Sequence, residues 1–289
     1  MKTPVFTGGC TALVTPFQNG KLNLSMLDTL LDRQMEAGIG AVVVCGTTGE
    51  APTLSDAEKI TLFHRTKEFC GTGCTVIAGT GSNDTRHAVA LSQAAEDSGA
   101  DALLVVSPYY NKATPEGLYA HYSAIAAAVH IPVILYNVPS RTGVDIPVSI
   151  YRRLAEISNI AGVKEASTDI GKIVSIRAEC PSDFAVWSGN DDLTVPVMSL
   201  GGLGVISVAA NVAPMQVQVM AQAALAGDFD TAGELQCNLM ECIDLLFKEV
   251  NPIPVKYAMR HIGFDCGNCR LPLSQLTDET AKKIDAYFH

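Results

Sequence analysis

Eight short apolar runs, separated by segments with helical periodicity, constrain the fold of this chain more than any other feature. The runs lie at residues 10–14, 41–45, 75–78, 102–106, 133–136, 160–164, 185–188 and 204–208. Runs that are apolar throughout are typical of parallel strands that are covered on both faces. Eight strand–helix units within about 225 residues predict an α/β fold, the (β/α)8 TIM barrel. The alternative, a doubly wound open sheet, would need a glycine fingerprint after the first strand, whereas Gly8 and Gly9 precede it.

The rest of the chain is predicted to be helical. Periodicity indicates helices at 24–37, 55–69, 84–98 and 115–129, and Ser55 with Glu58 predicts a capping box at the start of the second. Beyond Gly227 no further strand-like run occurs, and helices are expected at 228–250, 254–262 and 277–288. We therefore expect a catalytic barrel over residues 1–225 and a small helical C-terminal domain over residues 226–289.

The charge and hydropathy of the chain argue against several classes of protein. The formal net charge is −10 at pH 7, which argues against nucleic acid or an anionic membrane as a partner. Mean hydropathy is positive, yet no apolar run approaches the roughly 18–20 residues that span a bilayer. Residues 1–9 lack the apolar segment of a signal peptide, so a cytoplasmic location is expected.

No metal and no cofactor are expected. The six histidines show neither an HxH nor an HExxH spacing. Cys266 and Cys269 form a CxxC pair, but a zinc site needs four ligands and the sequence has no second pair of this kind. The nine cysteines are expected to be reduced, and many of them to be small core residues.

Lys164 is the residue that most constrains the chemistry. It ends the apolar run 160–164, and an ammonium in such a place must be paired, neutralised or functional. The neighbouring Glu165 should point to the opposite face of the strand. Burial favours the neutral amine, which is the nucleophile that Schiff-base formation requires. The structural alternative is a buried lysine that pairs with a carboxylate.

Polar residues after other strands are expected on the same rim as Lys164, because barrel enzymes draw catalytic groups from the carboxyl ends of their strands. Tyr136 and Thr47 supply hydroxyls that can relay a proton. The glycine-flanked turn at Thr47 and Thr48 can present backbone N–H groups to a carboxylate. Arg141 offers a planar fork for a second carboxylate. Taken singly, these are an ordinary packing tyrosine, a tight turn and a surface arginine.

Five motifs together carry a resemblance to a known family. They are GTTGE at 46–50, PYYN at 108–111, YNVPSRTG at 136–143, VKEA at 163–166 and NPIPVK at 251–256. Over nearly its whole length the chain resembles the N-acetylneuraminate lyase and dihydrodipicolinate synthase superfamily of class I aldolases. Within it, the likeness is greatest to the dihydrodipicolinate synthase branch.

The resemblance implies a reaction and the residues that carry it. Lys164 would form a Schiff base with pyruvate, and the enamine would attack L-aspartate 4-semialdehyde on the route to diaminopimelate and lysine. Tyr136 would move protons through Thr47 to Tyr110, which would enter from a neighbouring subunit. The resemblance also implies a homotetramer built from tight dimers. The implied substrate-binding residues are Thr47 and Thr48 for the pyruvate carboxylate, Arg141 for the semialdehyde carboxylate, and Gly189 and Ile206 for the pocket walls.

A candidate effector site for lysine is also implied. Asn83 and Tyr109 match the site of feedback-sensitive relatives, but serine, histidine, histidine and glutamate of those relatives are replaced by Ala51, Asp56, Lys59 and His87. Loss of the glutamate removes an acceptor for the effector's amino group, and Lys59 adds a like charge. Inhibition by lysine is expected to be weak or absent.

Two alternatives to this activity remain. One is another pyruvate-dependent class I aldolase, such as N-acetylneuraminate lyase or a 2-keto-3-deoxy-sugar acid aldolase. Arg141 disfavours it, because sugar-acid substrates present hydroxyls where the semialdehyde presents a carboxylate. The other is a keto-acid-binding barrel without activity, which would not need both the lysine and the tyrosines.

Overall fold

Eight parallel strands close into a barrel in the computed structural model, which describes residues 2–288. In chain order the strands are β1 (Gly8–Ala12), β2 (Phe17–Gln18), β3 (Lys21–Leu22), β4 (Ala41–Val44), β5 (Thr75–Gly79), β6 (Ala102–Val106), β7 (Val133–Asn137), β8 (Ile160–Glu165), β9 (Ala185–Ser188) and β10 (Gly204–Ser207). Around the barrel the order is β1-β10-β9-β8-β7-β6-β5-β4, and β2 and β3 form a separate antiparallel hairpin. The predicted TIM barrel is confirmed, and each predicted strand overlaps an observed one.

Nine α-helices in residues 2–288 precede Gly227, and three follow it. The first group is α1 (Leu24–Glu36), α2 (Asp56–Cys70), α3 (Thr85–Asp97), α4 (Pro115–Ala127), α5 (Pro139–Thr142), α6 (Val148–Leu154), α7 (Ile170–Glu179), α8 (Thr194–Ser199) and α9 (Pro214–Leu225). The second group is α10 (Phe229–Leu246), α11 (Ile253–His261) and α12 (Asp278–Tyr287). The predicted capping box of α2 is present, since the Ser55 and Glu58 side chains each bond the other's backbone N–H.

Two apolar layers hold the barrel together. Alternate strand residues fill the interior, where Trp187 stacks on Phe6 with ring centroids 5.0 Å apart and donates its indole N–H to the Phe6 carbonyl. The remaining strand residues pack outward against the helices. Buried residues of α10, α11 and α12 join that outer cluster, so the C-terminal helices share their core with the barrel. The division into two domains stays a prediction.

The hairpin β2–β3 is a feature that the sequence pattern did not indicate. Each of its strands has only two residues, too few for a period-2 signal. Its Phe17 ring is buried against the C-terminal segment, and the Phe17 backbone N–H donates to the Cys266 carbonyl oxygen at 2.9 Å. The hairpin therefore joins the start of the barrel to the C-terminal part of the chain.

Two classes of feature are absent from residues 2–288. None of their helices combines the length and the apolar character that crossing a bilayer would need. The same residues contain no cluster of three or more His, Cys, Asp or Glu side chains with metal-binding geometry. The cytoplasmic location stays a prediction.

Candidate active site

Lys164 and Tyr136 lie side by side inside the carboxyl end of the barrel. Strands β7 and β8 pair in a register that places Tyr136 opposite Lys164. The Lys164 Nζ lies 4.3 Å from the centroid of the Tyr136 ring, and the two residues are 5% and 6% exposed. Within residues 2–288 this nitrogen has no ion pair and no hydrogen bond. The structural alternative required a carboxylate partner, and the described part of the chain supplies none.

Glu165 points away from the site, as the alternation of the strand predicted. Its carboxylate accepts hydrogen bonds from the Asn137 amide at 2.8 Å and from the Tyr151 hydroxyl at 3.0 Å. The Lys172 Nζ lies 3.8 Å from the same carboxylate and also contacts Asp145. Burial, with the nearby Glu165 charge, raises the pKa of Tyr151 well above its ordinary value. This network joins β7 and β8 on their outer face, directly behind the tyrosine and the lysine.

Asp191 is a second buried carboxylate near the site, and the sequence motifs gave it no role. It accepts hydrogen bonds from the backbone N–H groups of Val208 and Ala209 at 2.9 and 3.2 Å, and from the Ser207 hydroxyl. Burial raises its pKa, although these hydrogen bonds and the positive charge of Lys164 oppose that rise. Asp191 thus fixes the chain just after Ile206, one of the predicted pocket residues.

Gly189 packs directly against Lys164, and Ile206 lies in the interior of the barrel. A Cβ atom added at Gly189 would lie 3.0 Å from the Lys164 Cε and 2.5 Å from the Ala166 Cβ. Only glycine therefore leaves room for the lysine side chain at this position. Ile206 is 1% exposed and belongs to the interior cluster that includes Tyr136.

The turn that carries Thr47 and Thr48 is held in one conformation. The Glu50 N–H bonds the Thr47 carbonyl at 3.1 Å, and Glu50 itself has a left-handed backbone with φ of 58°. The Thr48 Oγ1 accepts a hydrogen bond of 3.0 Å from the Asn251 amide. Thr47 and Tyr136 line the same cleft, and their hydroxyls make no hydrogen bond within residues 2–288. The predicted relay between them therefore stays a prediction.

Arg141 and Tyr110 stand at the entrance. Arg141 lies on the short helix α5 and is exposed, and its Nη2 donates to the Asn251 carbonyl at 3.4 Å. Tyr110 is 88% exposed and has a positive φ of 74°. Its ring thus projects from the chain and does not turn into the chain's own barrel.

One cleft of about 960 Å³ is lined by part of the predicted substrate and effector residues. The predicted residues that do not line it are Lys164, Thr48, Gly189, Ile206 and Asn83. Within it, the Asp56 carboxylate bonds the His87 Nε2 at 3.0 Å, and the Lys59 Nζ lies 3.7 Å from Asp56. The carbonyl oxygen of Asn83, beside the cleft, accepts from Asn111 at 2.9 Å. The predicted site residues that line the cleft are Thr47, Tyr136, Arg141, Tyr110, Ala51, Asp56, Lys59, His87 and Tyr109.

Comparison with known proteins identifies the family of this chain. The family model of the dihydrodipicolinate synthetase family matches residues 5–289. A 4-hydroxy-tetrahydrodipicolinate synthase of Acetivibrio thermocellus is 48% identical over 280 residues, which are 96% of this chain and 95% of the relative.

Two solved structures are similar over nearly the whole chain. One is the chloride-inhibited dihydrodipicolinate synthase of Acinetobacter baumannii complexed with pyruvate, which is 42% identical at a TM-score of 0.95 and covers 97% of each chain. The other is the enzyme of Cyanidioschyzon merolae with lysine bound, 39% identical at a TM-score of 0.95, covering 98% of this chain and 97% of that one. This chain belongs to the dihydrodipicolinate synthetase family.

Proposed function

We propose that Lys164 condenses with the keto group of pyruvate and that the resulting enamine attacks the aldehyde of L-aspartate 4-semialdehyde. The activity is that of a 4-hydroxy-tetrahydrodipicolinate synthase, a lyase of the class I aldolase type. The observation that carries the role of Lys164 is its buried amine, which lies 4.3 Å from the Tyr136 ring and has no carboxylate partner in residues 2–288. Such an amine is available to attack a carbonyl carbon.

The steps follow from this amine. Attack of Nζ on C2 of pyruvate gives a carbinolamine, and loss of water gives the iminium ion. Loss of a proton from the methyl carbon then gives the enamine, which forms a carbon–carbon bond to the aldehyde carbon. The new alkoxide takes up a proton. Finally, the amino group of the semialdehyde replaces Nζ at C2, which closes the ring and frees Lys164.

Hydroxyl groups would move these protons. The Tyr136 hydroxyl belongs to the ring that lies beside Nζ, and Thr47 lines the same cleft. Positioned acids and bases of this kind typically contribute about 10²–10⁴-fold to the rate. The 88% exposure of Tyr110 supports its entry into the site of a second copy, and we propose the homotetramer built from tight dimers on this basis.

Two carboxylates would be bound by different groups. Thr47 and Thr48 would bind the carboxylate of pyruvate at the turn, with Gly189 and Ile206 as the walls of the pocket. Arg141 at the entrance would bind the carboxylate of the semialdehyde. Because the chain carries a net charge of −10, an anionic substrate needs such a local cation. The hydroxyl-rich substrates of sugar-acid aldolases would not use it.

We also propose that lysine inhibits this enzyme weakly or not at all. Lys59 and His87 already satisfy the one carboxylate of the candidate effector site, that of Asp56. An activity assay with added lysine tests this proposal. Strong inhibition at lysine concentrations below about 1 mM would contradict it, because such inhibition corresponds to a binding free energy beyond roughly 4 kcal/mol.

Borohydride trapping tests the main proposal. Reduction in the presence of pyruvate should give a covalent adduct on Lys164, located by mass spectrometry of peptides. A panel of aldehydes then separates the alternatives, and we expect turnover with L-aspartate 4-semialdehyde but not with sugar aldehydes. A chain that binds pyruvate without forming the adduct would be a binding protein and not an aldolase.

A further inference from the structure

The NPIPVK motif at residues 251–256 lies far from Lys164 in sequence and has no role in the chemistry described above. In the structure it begins at a tight turn before α11 and contacts the Thr47–Glu50 turn at two points. The Asn251 Nδ2 donates to the Thr48 Oγ1 at 3.0 Å. The Lys256 Nζ lies 2.6 Å from the Glu50 Oε1.

We propose that Asn251 is a positioning residue for pyruvate, and that it acts through the hydroxyl of Thr48. This inference rests on the proposed function, in which Thr48 binds the pyruvate carboxylate. Asn251 is 5% exposed, and Thr48 is 3% exposed. A hydrogen bond between two buried groups fixes their relative geometry, because leaving either one unpaired is costly.

The direction of this hydrogen bond matters for the chemistry. Since the Asn251 amide donates and the Thr48 oxygen accepts, the hydroxyl hydrogen of Thr48 remains available to a ligand. A carboxylate accepts hydrogen bonds only, so it requires a donor at this position. Asn251 thus orients Thr48 as a donor toward the substrate.

The second contact holds the other end of the same turn. The Glu50 carboxylate is fully buried, bonds Lys256 and also accepts the backbone N–H of Arg270 at 2.8 Å. The Lys256 Nζ and the Arg270 guanidinium carbon lie 4.4 and 4.3 Å from the Phe17 ring centroid. Hairpin β2–β3 therefore supports the cations that anchor Glu50.

Asn251 also contacts Arg141, the residue proposed to bind the carboxylate of the semialdehyde. Its backbone carbonyl accepts from the Arg141 Nη2 at 3.4 Å. One residue of the C-terminal part of the chain therefore contacts Thr48 and Arg141, which belong to the two different proposed carboxylate-binding groups. The barrel alone would lack these contacts.

A double-mutant cycle tests the role of Asn251. Asn251→Ala should raise the pyruvate concentration needed for half-maximal borohydride trapping about tenfold, which corresponds to about 1.4 kcal/mol, the size of one hydrogen bond. In a Thr48→Val background the same substitution should change that concentration by less than about twofold. Equal effects in both backgrounds, or no effect of Asn251→Ala in a folded protein, would overturn the proposal.

Asn159→Ala is the matched control. Its side chain donates two hydrogen bonds, to the Ala126 and Val129 carbonyls, next to the amino end of β8. It should lower the unfolding temperature without changing half-maximal trapping. A change in trapping as large as that of Asn251→Ala would show that both act through general stability, which contradicts the proposal.

A second variant keeps the test decisive if Asn251→Ala does not fold. Asn251→Asp preserves the shape of the side chain but reverses the hydrogen bond, because a carboxylate takes the hydroxyl hydrogen of Thr48. It should weaken pyruvate binding at least tenfold, and unchanged binding would overturn the proposal. Failure of the proposed function is distinguishable, because then the wild-type chain would form no adduct at all.

Discussion

The two faces of strands β7 and β8 differ in how their ionisable side chains are paired. On the inner face, Lys164 has a tyrosine ring beside it and no carboxylate partner in residues 2–288. One residue further on, the outer-face Glu165 accepts hydrogen bonds from Asn137, Tyr151 and a backbone N–H, and lies near the Lys172 ammonium. Both faces are buried, so the difference is not one of solvent exposure. A reactive amine and a structural carboxylate can be adjacent in sequence because the pleat places them on opposite sides of the sheet.

The largest expected effect is on catalysis, and it should come from removing the Lys164 side chain on the inner face. Lys164→Ala should abolish the borohydride adduct and lower turnover on the order of 10⁶-fold, as removal of other enzymic nucleophiles does. It should leave the free energy of unfolding nearly unchanged or raised, because it removes a buried amine that has no ion pair. A trapped adduct in this variant, measured by intact mass, would place the nucleophile elsewhere.

Removing the Glu165 carboxylate on the outer face should lower stability and leave the chemistry of Lys164 intact. Glu165→Ala leaves the buried Lys172 without this acceptor and should lower the free energy of unfolding by about 3–5 kcal/mol in a denaturant titration. Glu165→Gln keeps the shape of the side chain, and its free energy of unfolding should fall by less than that of Glu165→Ala. Molecules that remain folded should still form the adduct on Lys164. If Glu165→Ala were as stable as the wild type, the outer network would not be structural.

Tyr110→Phe tests whether the Tyr110 hydroxyl of one copy serves the Lys164 site of a second copy. It should leave trapping of pyruvate intact and slow turnover about 10²-fold or more, because only the proton relay is affected. Tyr109→Phe is the matched control on the adjacent, less exposed tyrosine and should change turnover little. Equal rates for wild type and Tyr110→Phe would exclude a relay through this hydroxyl.

The smallest expected effect is on stability at acid pH, and it concerns the ion pair of Glu58 and Arg270, which lies outside β7 and β8. Hydrogen bonds from Arg270 lower the pKa of Glu58 to about 2. Because the folded-state pKa lies below the ordinary value of 4.5, the pair stabilises the fold above about pH 4.5, and this stability is lost as the pH falls towards 2. Glu58 is partly exposed, so we expect about 1–2 kcal/mol after screening. Acid titration of Glu58→Gln should show a shallower loss of stability between these pH values, and an unchanged slope would contradict the assignment.

Much of the site could be predicted from the sequence because its signals are local. Lys164 ends an apolar strand, Thr47 and Thr48 lie in a glycine-bounded turn, and the strand alternation put Glu165 on the far face. The whole barrel likewise follows from the length and spacing of its apolar runs, since burial on both faces dictates composition strand by strand. Hairpin β2–β3 was missed because its strands are too short to produce a pattern.

The contacts that hold the site together were decided only by the tertiary structure. Asn251 and Thr48 are 203 positions apart, and Lys256 and Glu50 are 206 apart. No periodicity or motif spacing specifies such pairs, since they form only when the chain after the barrel folds back over its rim. The sequence alone therefore determined which side chains could react, because burial and strand alternation are local properties. The fold decided how those side chains are oriented, because orientation depends on neighbours from distant parts of the chain.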